Sequence, residues 1–390
     1  MIRVLYILNA TDRFGGATKA IMNLLNGMNN IIPYFILPDD SGIAEVLRRK
    51  GIAYSVLNYR MAVYPPLKSL QDYLLFLPRL CGRIYLNTRA SRQIEAIARN
   101  FNADIIHTNT SVNDIGYRAS RTLHMPHVWH IREYGIQDFG FHHYPCHSLF
   151  MRKFKAAQSY TICITKDIQC YNGLHNWSAS RVIYDGVLHT SQICFSPMKK
   201  NYFLFAGRLE KGKGIEELIE AYGIYTAKTE LPHPLWIAGD TLDAAYKDKL
   251  YGIVSHMTCK DNIHFLGMRK DILDLMQNAM ALIVPSRAEG FGFITAEGMF
   301  SGALVIGKDA SGTKEQFDNG YHLTKQEIAL RYRTQDELVE HMLQVSRQGI
   351  EPYLRTIKAG QNAAEQLYSI ENHQSAVCQF YCEICKHNGK

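Results

Sequence analysis

The strongest chemical signal in this 390-residue chain is a pair of glutamates flanking a glycine loop. The stretch reads Pro285-Ser-Arg-Ala-Glu289-Gly290-Phe291-Gly292-Phe-Ile-Thr-Ala-Glu297. It follows an apolar run at 279–284 with the character of a buried parallel strand, and it leads into a helical pattern at 293–300. A strand, a glycine loop and a helix start build an anion site, because the first helical turn leaves N–H groups unpaired and carries partial positive charge. Carboxylates repel phosphate, so Glu289 and Glu297 suit neutral hydroxyls instead, and a sugar nucleotide has many. The plain alternative is a turn with two solvated acids.

A second cluster lies some eighty residues earlier, in Gly207-Arg208-Leu-Glu-Lys-Gly-Lys213-Gly214. A guanidinium and an ammonium at a glycine-rich strand end can neutralise a diphosphate leaving group. A third is Gly15-Gly16 just before a helix, again a backbone cradle for an anion, although turns use paired glycine constantly. His130 sits in Trp129-His130-Ile-Arg-Glu133, at the end of a strand and on the side where ligands bind in open α/β sheets. Glu133 either orients it or binds acceptor.

The setting P-S-x-x-E-G-F-G-x-x-x-x-E resembles the donor site of the retaining family 4 glycosyltransferases, which have the GT-B fold. The Arg208–Lys213 loop resembles the G-R-L-x3-K-G loop of the same family. The resemblance implies that Glu297 grips ribose hydroxyls, while Glu289 with the Gly290, Phe291 and Gly292 backbone grips the sugar. It implies that Arg208 and Lys213, beside Gly207, take the diphosphate charge. Gly267 and Met268 match a loop that holds the base through its backbone, and 310–315 match a G-x-x-E motif. Gly15 and Gly16 match a glycine pair that reaches across the cleft to the diphosphate, and His130 matches a histidine set against the transferred sugar. The likeness spans nearly the whole chain and is sharp over 203–320. Gly298, Ala303 and Tyr184-Asp185-Gly186 depart from the family pattern, without removing a charged site residue.

Positioning these residues takes two α/β domains. Strands are expected at 4–8, 34–37, 53–57, 104–107, 127–131, 160–164 and 181–184, then at 202–206, 234–238, 262–266, 280–284 and 303–306. The implied architecture is two doubly wound Rossmann-like domains facing across a cleft. Residues 1–187 form an acceptor-side domain, 188–200 a linker and 201–367 a nucleotide-sugar-binding domain. A helix over 368–390 crosses back to the first domain.

The net charge of +7 is unevenly spread. Residues 1–190 hold 21 Lys and Arg against 12 Asp and Glu, net +9, and the remainder is net −2. Residues 59–99 alternate aromatic and basic residues with Asp72 and Glu95 as the acids. Such a segment is either an anionic-membrane element anchored by Leu74, Leu75, Phe76 and Leu77, with Arg79 and Arg83 beside them, or a core helix with a solvated basic face. No nucleic-acid-binding motif accompanies the charge. The nine cysteines suit free thiols in a reducing compartment. Cys378, Cys382 and Cys385 have an iron–sulfur spacing but sit at the chain's end, so three small buried hydrophobes on one helix face is the reading adopted. His142, His143 and His147 read as polar surface.

The function expected is transfer of a sugar, with retention, from a nucleotide-diphosphate sugar to a saccharide or lipid-linked saccharide. UDP-sugar is preferred over GDP-sugar, with no metal and no cofactor. The location is cytoplasmic, with peripheral contact to the inner face of the plasma membrane. The alternatives are a non-catalytic donor-binding subunit and another GT-B enzyme such as a nucleotide-sugar epimerase.

Overall fold

The computed structural model describes residues 1–389 apart from residues 13, 14, 29, 65, 66, 68, 136–139, 141, 144 and 145. The chain divides into two compact units, Met1–Gly186 with His373–Lys390, and Val187–Asn372.

In the first unit the strands are β1 (Ile2–Ile7), β2 (Ile31–Leu37), β3 (Tyr54–Val56), β4 (Ile105–Thr108), β5 (His127–Ile131), β6 (Ser159–Cys163) and β7 (Ser180–Val182). They form one parallel sheet in the order β3-β2-β1-β4-β5-β6-β7. Both faces are covered, so the strands read as near-continuous apolar runs. Ile21 and Leu24 of the helix Gly16–Leu25 cover Val4 and Tyr6 on one face, with Val377, Phe380, Tyr381 and Ile384 of the C-terminal helix. Ala90, Ile94 and Ala98 of the helix Phe76–Phe101 cover Leu5 and Ile7 on the other. The terminal cysteines lie beside that apolar seam: Cys382 is exposed, Cys378 and Cys385 are half-covered, and none of the three forms a disulfide. The expectation of three buried sulfurs is thereby corrected.

The second unit holds β8 (Lys200–Ala206), β9 (Leu235–Ala238), β10 (Ile263–Gly267), β11 (Ala279–Val284), β12 (Val305–Lys308) and β13 (Leu330–Tyr332). This sheet is also parallel, in the order β10-β9-β8-β11-β12-β13. The edge strand β13 has no counterpart among the strands expected from sequence. Residues 188–200, expected as a linker, pack within this unit: Cys194 N–H reaches Phe300 O at 3.2 Å, Gln361 reaches Cys194 O at 2.7 Å, and Lys200 already belongs to β8.

In each sheet the chain reverses its winding beside the first strand, between β1 and β4 and between β8 and β11. Ligands of open α/β sheets bind outside the carboxyl ends of the strands at such a switch point. The Gly15–Gly16 turn follows β1; the loops 207–214 and 285–292 follow β8 and β11.

Candidate active site

The second switch point is built from three glycine-ended strands and two loops locked to each other. Gly207, Gly239 and Gly267 follow or close the neighbouring strands β8, β9 and β10. Gly207 N–H bonds to Ala238 O at 3.0 Å and Gly239 N–H to Gly267 O at 2.8 Å. Gly239 has φ 151°, and a Cβ there would lie 1.8 Å from Gly207 O, so only glycine fits. Trp236-Ile-Ala-Gly239 carries the signal that finds it, a glycine closing a strand, which is too common to mark a site by itself.

The loop after β8 rests on the loop after β11. Arg287 N–H bonds to Gly212 O at 3.1 Å, and Gly214 (φ 72°) approaches Pro285 O so closely that a Cβ would lie 2.1 Å away. This contact brings Lys213 Nζ to 2.6 Å from Glu289 Oε1, with the two side chains 22% and 15% exposed. Arg208 is 69% exposed and pairs with Glu210 at 2.9 Å. An exposed ion pair of that kind stabilises little, so the guanidinium is available to a stronger anion.

The helix Ser311–Thr324 holds the glycine loop from behind. Gly312 N–H bonds to Glu289 O at 2.9 Å, and Gln316 Nε2 to Phe291 O at 2.7 Å and Gly292 O at 3.0 Å. A trans peptide sets its N–H opposite its C=O, so the N–H groups of Gly290 and Gly292 point away from that helix. Gly292 then starts the helix Phe293–Phe300, whose second turn carries the buried Glu297. Gln316 is the residue that sequence reasoning missed here, one place beyond the motif ending at Glu315. Met268 is exposed after β10, beside the Arg269–Asp271 pair at 2.6 Å. Arg208, Lys213, Glu289 and Glu297 are thus carried on two loops and a helix beside one switch point.

At the first switch point the charged residues are enclosed instead, and the Gly15–Gly16 turn keeps an exposed edge. Gly15 caps the helix Gly16–Leu25 with no side-chain bond. His130 is fully buried, so no atom of it meets solvent. Its Nδ1 lies 3.2 Å from His107 Nε2 and 3.3 Å from Arg132 Nη2, and its Nε2 lies 4.0 Å from Asp185 Oδ1. Burial, then the Arg132 guanidinium, hold its pKa well below the usual histidine range, so the ring is neutral. The strand end itself belongs to Arg132 and Glu133. Arg132 bonds both oxygens of Asp185 at 2.7 and 2.6 Å. Glu133 accepts from Ser111 N–H at 2.6 Å and Ser111 Oγ at 2.8 Å and so holds the β4 loop, not His130; its burial raises its carboxyl pKa.

His130, Asp185 and His373 bring three ligand-type atoms within 4.8 Å of one another. Both rings already accept a hydrogen bond at Nδ1. Gly186 N–H donates to His373 Nδ1 at 3.0 Å, and Arg132 can only donate to His130 Nδ1, so both Nε2 atoms keep their protons.

Residues 190–363 match the model of the family described as glycosyl transferases group 1. The matched segment lies within the second unit. Among curated proteins, an uncharacterized glycosyltransferase of Methanocaldococcus jannaschii is 29% identical over 166 residues, which cover 41% of this chain and 43% of the relative. The N,N'-diacetylbacillosaminyl-diphospho-undecaprenol alpha-1,3-N-acetylgalactosaminyltransferase of Campylobacter jejuni is 36% identical over 59 residues, 15% of this chain and 16% of the relative. The chain thus spans less than half the length of the curated relatives it matches. Among solved structures, Anabaena HepE in complex with UDP-glucose has a TM-score of 0.75 at 17% identity, over 98% of this chain and 100% of that one. The fold is that of the GT-B glycosyltransferases.

Proposed function

We propose that this protein is a retaining glycosyltransferase that takes a sugar from a nucleotide-diphosphate donor, a UDP-sugar in preference to a GDP-sugar. The observation that carries the reading is the Lys213–Glu289 contact in front of the Gly290–Gly292 amides, at the switch point of the second unit. Arg208 and Lys213 take the charge of the leaving diphosphate, with Lys213 turning from Glu289 toward the more highly charged phosphate. The released Glu289 carboxylate and the glycine-loop amides grip sugar hydroxyls, and Glu297 grips the ribose. The β10 end at Gly267 and Met268 meets the base.

The proposed step is internal return. The anomeric C–O bond to phosphate breaks, and the leaving phosphate oxygen takes the acceptor hydroxyl proton. The new C–O bond forms on the same face, so configuration is retained. Two cations at the leaving group make a metal unnecessary to this reading. His130 enters it only through Arg132, since the ring itself is enclosed.

The acceptor is a saccharide or lipid-linked saccharide of cell-surface polysaccharide synthesis, met at an anionic membrane surface. Support comes from an exposed row, Leu70, Tyr73, Leu74, Leu77 and Tyr85, each 63–77% exposed, on the helices Leu70–Leu74 and Phe76–Phe101. Exposed Arg79, Arg89 and Arg92 flank the row. The anchors differ from those expected: Leu75 is partly covered, and Phe76 packs on Tyr64 at 5.0 Å between ring centroids. No helix among the described residues is long and apolar enough to cross a membrane.

Thermal shift against a panel of nucleotide sugars tests the donor, since a bound donor stabilises by mass action. The expected result is a rise in Tm with one nucleotide sugar that is absent in Lys213→Ala. No shift with any of them would sink the reading. A shift without transfer to any saccharide acceptor would favour a donor-binding subunit.

A further inference from the structure

We infer that Asn109 is a positioning residue, which clamps the first turn of the Gly16–Leu25 helix to the carboxyl ends of three other strands. The inference rests on the reading of the Gly15–Gly16 turn as part of the substrate site. Asn109 follows β4, directly at the β1/β4 switch point, and is 2% exposed. Its Nδ2 donates to Ala17 O at 2.9 Å, and its Oδ1 accepts from Arg132 Nε at 3.1 Å. The orientation of the amide is not a matter of choice. A guanidinium has no acceptor, so the atom facing Arg132 must be oxygen and the atom facing Ala17 O must be nitrogen.

Arg132 is in turn fixed by both carboxylate oxygens of Asp185. One buried relay therefore runs from Asp185 after β7, through Arg132 after β5 and Asn109 after β4, to the turn after β1. Glu133 adds a second hold on the same β4 loop, through Ser111. Nothing in the α-helix ladder requires the bond to Ala17, because a carbonyl at that place already serves the N–H four residues on. The extra bond restrains a turn that two glycines leave conformationally soft and that has no side-chain cap. A substrate group held by the N–H groups of that turn is placed only as well as the turn is placed.

Asn109→Asp isolates this role, because it keeps an acceptor for Arg132 and removes the donor to Ala17. In the full-length protein, hydrogen exchange of the backbone amides of residues 15–21 should accelerate at least tenfold, without any ligand. With the donor found by the panel, kcat should fall on the order of 10- to 100-fold, as for a reacting group displaced by about an ångström. The donor KM and the affinity for UDP by calorimetry should stay within threefold, since the second unit holds the nucleotide. A residue that only supports the fold would lower Tm and leave kcat per folded molecule unchanged. Unchanged exchange, or kcat within twofold of wild type, overturns the inference. If Asn109→Asp does not fold, Asn109→Ser is read by the same criteria. Lys213→Ala separates the two ideas. If it abolishes transfer while Asn109→Asp does not, the positioning role alone falls; if neither affects transfer, the glycosyl-transfer reading falls with it.

Discussion

The two switch points of this protein use the same residue types for opposite purposes. At the first, Arg132, Asp185, Asn109, Glu133 and Ser111 satisfy one another inside the unit, with Arg132 and Asp185 almost wholly buried. At the second, Lys213 and Arg208 hold carboxylates at partly or largely exposed positions, where an incoming anion can compete for them. A buried pair is costly to break because the remaining charge is stranded. The exposed Arg208–Glu210 pair yields cheaply, and the Lys213–Glu289 pair is partly open to solvent. Charge at the first site therefore fixes shape, and charge at the second is available for chemistry.

The largest effect expected from this contrast is on stability. Asp185→Ala strands the Arg132 guanidinium and should cost about 3–5 kcal/mol. The measurement is urea denaturation of the full chain, following the first unit by near-ultraviolet signals from Trp129. A loss below about 1 kcal/mol would mean that water reaches the pair and that the charged residues of the first switch point are not enclosed.

The second switch point should respond in the reverse manner. Lys213→Ala and Arg208→Ala should each remove about 2–4 kcal/mol of transition-state stabilisation, the range for one preorganised electrostatic donor. Both residues lie on a loop, so Tm should move by only a few degrees. Turnover within tenfold of wild type in both variants would leave the cations without the role given to them.

The second switch point was legible in sequence because its chemistry is local. Glu289, Gly290, Gly292 and Glu297 lie within nine residues, and Arg208 and Lys213 within six, so spacing alone gathers them. The strands of the two parallel sheets too could be read from their apolar runs, except β13, three residues long with Arg331 at its centre. What stayed hidden depends on contacts distant in the chain. Asn109, Arg132 and Asp185 are each ordinary polar residues until four strand ends meet. Gly298 looked like a departure from the family pattern; its helix packs so tightly that a Cβ would lie 2.4 Å from Leu282 Cδ2. His130 was placed correctly at the end of β5, but which way a strand residue faces depends on register, which the sequence left open.

A pH series sharpens the same contrast at a smaller cost per residue. His127 and His373 are buried in the first unit, and desolvation lowers their pKa values to about 3 and about 4. His107 and His130 are lowered in the same direction, again chiefly by burial. A ring whose folded pKa lies below its unfolded value of about 6.5 binds fewer protons in the folded state. The stability it contributes is whole above pH 6.5 and is lost as pH falls toward the folded pKa. Between pH 6.5 and 5 each such ring should cost about 2 kcal/mol. The first unit should therefore acid-unfold ahead of the second, with little change between pH 7 and 8. Coincident loss of both units, or a first unit indifferent to pH 5, would show that the histidines gain protons without unfolding.

The smallest effect expected concerns an exposed face of the first unit. The first unit carries the excess positive charge, and its exposed row of Leu70, Tyr73, Leu74, Leu77 and Tyr85 lies among Arg79, Arg89 and Arg92. Isolated exposed apolar residues need no explanation, but a row at helical spacing is an unpartnered face. Each basic residue near an anionic surface is worth about 1 kcal/mol, so three arginines with two or three inserted leucines suffice for reversible attachment. The protein should sediment with vesicles of phosphatidylglycerol and phosphatidylcholine at low salt and be largely released at 0.5 M NaCl, where surface charge is screened. Leu74→Ser with Leu77→Ser should weaken sedimentation and leave transfer to a soluble acceptor unchanged, because both side chains are exposed and support no core. Sedimentation indifferent to lipid charge and salt would argue against this face meeting lipid. If concentration-dependent dimerisation were lost in the same double variant, the row would be assigned to a second copy of the chain.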